Sequence, residues 1–199
     1  MLYPVIKMNE YVKAAWRVIP ANTPGIIRHC SKCNRKSEYY CSEKFRVNAN
    51  GARVDIWLIY KCHKCDSTCK LAIYKGVSPH DLPAGLFDLF IDNDKTLAWQ
   101  YAFDKHFLKQ NACVVDYAGV EYSVEGVGHS GPQVVHIQCP YSFDLKLVAL
   151  LAKALGTTVG QVKKYVESSD ITAAPDINIV RHRVRGDVEV VLRSYMLNI

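Results

Sequence analysis

His29-Cys30-Ser31-Lys32-Cys33-Asn34 and Lys61-Cys62-His63-Lys64-Cys65-Asp66 repeat one short pattern, with 28 residues between Cys33 and Cys62. A C-x-x-C turn brings two thiolates to one side of a metal, and two such turns complete a closed tetrahedral shell. The reading is a structural zinc ion (Zn2+) held by Cys30, Cys33, Cys62 and Cys65. A redox C-x-x-C sits at a helix N-terminus in a βαβ context, and neither pair has one. Four thiolates leave no open coordination position for chemistry.

The flanking sequence reads as β structure. Ile26-Ile27-Arg28 leads into the first turn, and residues 44–48 alternate apolar and polar. Asn50-Gly51 is a hairpin signal. The run Val54, Ile56, Trp57, Leu58, Ile59, Tyr60 delivers Cys62, and residues 71–74 make a third strand. Strand, cysteine turn, hairpin, cysteine turn, strand is the plan of a zinc ribbon. Residues 9–28 read as a lead-in to it.

From Ser78 the periodicity turns helical, with Pro83 suited to a first turn and Asp92 or Asp94 to a cap. Strands follow at 113–117, with an extension to 122, and at 134–137. The intervening Gly126-Val127-Gly128-His129-Ser130-Gly131 spells GxGxxG, but Pro132 and a strand follow where a dinucleotide site needs a helix, so it reads as a loop. Residues 145–155 form an apolar helix ended by Gly156. Thr158 and Gln161 make a capping box for the next, and residues 177–192 alternate as strands broken at Gly186-Asp187. The expected fold is α+β in three parts: lead-in and zinc ribbon at 1–77, a mixed helix and strand segment at 78–140, and a small helix-pair/strand module at 141–199.

The chain has 199 residues, 49% apolar and 22% charged, with a net charge of +6, which excludes a chain disordered throughout. Charge is uneven: net +9 over residues 1–75, −5 over 76–140 and +2 over 141–199. A basic front module suits a polyanion. No signal-peptide core or membrane-length apolar run is present in the sequence, so the reading is a reducing cytoplasm, where C-x-x-C pairs bind metal. Cys69 is an alternative ligand. Cys41, His29 and His63 read as bystanders or as groups beside the metal's ligands, Cys113 and Cys139 read as small buried hydrophobes, and no nucleophile–base arrangement suggests an enzyme.

Residues 141–199 resemble the alpha-L RNA-binding motif named for ribosomal protein S-four. The resemblance rests on Lys146-Leu147 before a leucine-rich helix, Lys163 and Lys164 on the second helix, and Val184-Arg185-Gly186-Asp187. The motif's Asp-Lys after the first Leu is Val148-Ala149, and its Ser-Arg at the second helix is Thr158-Val159. Taken whole, the chain is similar to a bacterial family, domain of unknown function 1062. That similarity rests on Trp16-Arg17-Val18-Ile19-Pro20, the cysteine pairs, and residues 44–51 and 54–60 across most of 14–195. It implies a zinc ribbon first, an RNA-binding-like module last, and no assigned activity.

The expected function is non-enzymatic binding of nucleic acid, structured RNA or a ribonucleoprotein. Phosphates would meet Arg35, Lys36, Lys44, Arg46 and Arg53 on the ribbon, and Lys146, Lys153, Lys163, Lys164, Arg183 and Arg185 on the last module. Arg28, Lys32 and Arg181 are further candidates. Tyr39, Tyr40 or Trp57 can stack on bases if exposed, although core packing is the better expectation for Trp57. The rival expectation is a zinc-ribbon adaptor for another protein.

Overall fold

A computed structural model describes residues 11–128, 131–175 and 177–193. They form two compact units, one of residues 22–121 and one of the described residues before 22 and after 121. The segment limits at 77/78 and 140/141 fall inside these units. The described residues are mostly β, 42% strand against 23% helix, in two five-stranded sheets. This overturns the α+β expectation of a self-contained zinc ribbon, a mixed middle and a helix-pair module. The physical reason lies in strand length. The β-rich run after Arg35 makes a 16-residue strand, too much apolar surface for a metal alone to organise.

In the 22–121 unit, strands β2 (Gly25–Cys30), β3 (Arg35–Asn50), β4 (Arg53–Cys62), β5 (Thr68–Val77) and β6 (Val114–Asp116) form an antiparallel sheet ordered β5-β4-β3-β2-β6. Asn50 pairs with Arg53, so the turn residues are Gly51, at φ +62°, and Ala52, one place on from the Asn50-Gly51 signal. One sheet face carries Ile26, Tyr39, Phe45, Ile56, Leu58 and Leu71, all buried. Helices α1 (Leu86–Ile91), α2 (Lys95–Phe103) and α3 (Lys105–Gln110) supply Phe90, Ala98 and Leu108 to the same core. The Phe45 and Phe90 rings meet edge-on at 4.9 Å.

Helix starts follow their caps. The Asp94 carboxylate accepts from the Leu97 N–H at 2.7 Å, and that of Asp104 accepts from the His106 and Phe107 N–H groups. Polar side chains then tie helices to strands. The Asn93 side-chain oxygen accepts from the Phe45 N–H, and the Trp99 indole donates to Glu43 at 2.6 Å. Glu43 sits at φ +57° in a bulge of β3 between Cys41 and Lys44. The Asn111 amide both donates to and accepts from the backbone of Ala72, standing in for a neighbouring strand on β5.

The other unit orders its strands β7-β1-β8-β10-β9, from β1 (Val12–Pro20), β7 (Tyr122–Glu125), β8 (Gln133–Gln138), β9 (Ile171–Ala174) and β10 (Val188–Leu192). Only the β1–β8 pairing is parallel. The expected lead-in is therefore a sheet strand: Trp16 and Val18 are fully buried, beside Val135, Ile137 and Val190. Helices α4 (Leu147–Ala154) and α5 (Val159–Glu167) add Leu147, Leu150, Leu151 and Val162. The Thr158 hydroxyl accepts from the Gln161 N–H at 3.1 Å, as the capping pattern predicts. Gly126, at φ +82°, passes so close to β1 that a Cβ would lie 2.1 Å from the Ala15 carbonyl oxygen. The first glycine of GxGxxG thus serves backbone approach.

Candidate metal centre

The two cysteine turns have the same shape for the same reason. Cys33 is followed by Asn34 at φ 50° and Cys65 by Asp66 at φ 58°. Asn and Asp are the side-chain-bearing residues that tolerate this left-handed region best, so each chain reverses immediately after its second thiol. The first turn joins β2 to β3, where Cys30 pairs with Arg35. The second joins β4 to β5, where Asp66 N–H donates to the Cys62 carbonyl at 2.9 Å and Cys62 N–H to that of Ser67 at 3.0 Å. Pairing of Tyr39 with Cys62 across β3 and β4 brings the turns together.

The sulfurs of Cys30, Cys33, Cys62 and Cys65 all lie within 4.8 Å of one another. Cys30 and Cys65 are 3.5 Å apart, Cys33 and Cys62 4.0 Å. A disulfide needs about 2.05 Å, and none of the eight cysteines forms one. A tetrahedron with metal–sulfur bonds of about 2.3 Å has sulfurs about 3.8 Å apart. The four cysteines therefore have the spacing to hold one metal ion.

Electrostatics point the same way. The Ser67 hydroxyl, then Tyr39 and the Cys33 N–H, pull the Cys30 thiol down to about 5. Ser67 also lowers Cys65. Hydrogen bonding with Cys65, with burial behind it, pushes Cys33 up to about 12. Four clustered thiols cannot all ionise unaided, whereas a bound dication makes every one a thiolate. Ser67 was not picked out in the sequence. Its hydroxyl lies 3.2 Å from Cys30 Sγ and 3.1 Å from Cys65 Sγ.

The remaining cysteines stand apart. Cys69 Sγ accepts from the Arg28 guanidinium at 3.4 Å, so it is not the alternative ligand. Burial pushes Cys41 and Cys139 up to about 11 and raises Cys113. The Cys139 thiol donates to the Tyr141 carbonyl, and His136 pairs with Asp187.

The basic candidates divide between the units. Side chains alternate along β3, β4 and β5, and the face opposite the apolar core carries Lys36, Lys44, Arg46, Arg53, Lys61 and Lys70. Glu38 and Asp55 are the acids on those strand positions. Lys61 and Lys70 were not among the predicted contacts. Arg53 donates to the Gly76 carbonyl at 2.8 Å. Arg35 is exposed where β3 begins. Arg28 instead points to the core face, opposite Ser37, and Tyr39 is buried. In the other unit, Lys163 and Lys164 are exposed on α5, and Lys146 bridges Arg183. Arg183 is paired with Asp144, Lys153 covers the Tyr122 ring, and Arg185 is exposed before β10.

The family model described as Protein of unknown function (DUF1062) matches residues 47–177, well over half of the chain. The chain belongs to this family. The DUF1062 match includes Cys62 and Cys65, and begins beyond Cys30, Cys33 and the Trp16–Pro20 segment. No curated protein and no solved structure matches the chain. No helix among the described residues is long and apolar enough to cross a membrane.

Proposed function

We propose that this is a zinc-stabilised, non-enzymatic RNA-binding protein of the bacterial cytoplasm. The thiolate cluster holds one structural zinc ion, and the solvent face of the cysteine-bearing sheet receives the phosphate backbone. One observation carries the reading: six Lys and Arg side chains against two acids on one face of three adjacent strands. A surface with such an excess of positive charge binds polyanions by releasing their counterions. The all-sulfur donor set favours zinc over harder cations, and the lack of disulfides suits a reducing compartment.

The test combines metal analysis with a salt titration. One zinc per chain is expected, lost in Cys62→Ser. RNA affinity of the zinc-loaded protein should fall with salt at a log–log slope of about −3 to −4. The K44E/R46E double variant should weaken binding at least tenfold, and reversing Lys163 and Lys164 should do less. No RNA binding at about 50 mM salt would sink the reading. It would favour a protein-interaction adaptor, for which exposed Leu89 and Ile91 on α1 offer an apolar contact.

A further inference from the structure

Three rows of side chains cross the solvent face of the cysteine-bearing sheet. Arg46, Trp57 and Ala72 stand side by side on β3, β4 and β5. The next row holds Lys44, Ile59 and Lys70. The third is built on Lys61, with Tyr40 on one side and Thr68 on the other. Asp55 on β4 stands beyond the first row and Glu38 on β3 beyond the third. The three rows thus lie between two strand acids, and in the third Lys61 is ion-paired with Asp66 at 3.9 Å.

Aromatic rings occupy the first and third rows. Trp57 is half-buried, flanked by the short Ala72, with the Lys70 ammonium 5.3 Å from its ring centroid. Tyr40 lies 5.0 Å from the His63 ring, and its hydroxyl donates to Asp66 at 2.9 Å. That hydrogen bond fixes the Tyr40 ring in place, while the exposed Lys70 amine is free to swing from the indole to a phosphate. Rings on a basic sheet face are what unpaired bases stack on.

We infer, building on the proposed RNA-binding role, that this face takes an unpaired strand, with bases stacked on Trp57 and on the Tyr40–His63 pair. Spacing decides against a duplex. Four residues of β4 separate the Trp57 and Lys61 rows, about 13 Å along the strand. Stacked bases in a duplex rise only about 3.4 Å per step and hide their faces from one another. Only splayed bases reach both stations, while Arg46, Lys44, Lys70 and Lys61 run between them along the backbone.

The test uses the full-length, zinc-loaded protein with an oligouridylate of about twelve nucleotides and an RNA duplex of equal length at the same salt. Trp16 and Trp99 are buried, at 0% and 9% exposure, so a change in tryptophan emission on binding reports Trp57. The single strand should quench emission and bind at least tenfold more tightly than the duplex. Trp57→Ala should weaken single-strand binding about tenfold or more with an unchanged salt slope, and Trp57→Phe should restore most of it. Zinc content and circular dichroism check that the variants fold, and quenching of the unaltered protein needs no variant. Equal affinity for the duplex, or binding without quenching, overturns the inference and leaves the RNA-binding reading standing. Failure of both probes to bind removes the two together.

Discussion

A single hydroxyl, that of Ser67, reaches two of the four sulfurs. As donor it stabilises the negative form of whichever thiolate it serves. Ser67→Ala should leave one metal per chain but weaken its retention about 10–100-fold, read by competition with a chelating dye. Unchanged retention would make Ser67 a bystander. The four-cysteine cluster was legible from spacing alone, because C-x-x-C is a local device. Ser67 was not, because its role depends on a turn that closes only when the partner hairpin arrives. Arg28 shows the same limit: its charge suggested the surface, but strand parity turns it towards Cys69.

Among the elements, capped helices and the Asn50-Gly51 hairpin were readable, since their signals lie within a few residues of where they act. Strand β1 was missed even though Ala14, Trp16, Val18 and Pro20 alternate inward. Its partners lie more than a hundred residues away, so the run was taken as the approach to the cysteine turn. The glycine run reads from the sequence as a loop, and the constraint on Gly126 appears only with β1 beside it. Gly126→Ala should destabilise the unit carrying β1 by at least about 2 kcal/mol, since both the positive φ and the contact with Ala15 oppose a Cβ. Urea denaturation followed through Trp16, against an otherwise identical chain, measures it. A loss below about 0.5 kcal/mol would mean the backbone moves aside cheaply.

For the molecule as a whole, the expected ribbon proved to be one end of a larger sheet with its own aromatic core. Metal loss should therefore loosen that end without unfolding the unit. After chelation, amide exchange should rise over residues 28–40 and 60–70 and stay slow around Phe45, Ile56 and Leu58, which pack with Phe90. Uniform exchange across residues 22–121 would show the ion to be the keystone of the entire unit.

Pro20 pairs directly with Tyr122 across β1 and β7. At the root of the intervening segment, Asn22 accepts from the Glu121 N–H at 2.9 Å and donates to the Gly119 carbonyl at 2.7 Å. In effect β1 and β7 are the two arms of a hairpin whose connecting bend has grown into a hundred-residue guest. The guest, with its ends already tied together, has the form of a module set into the bend of that hairpin.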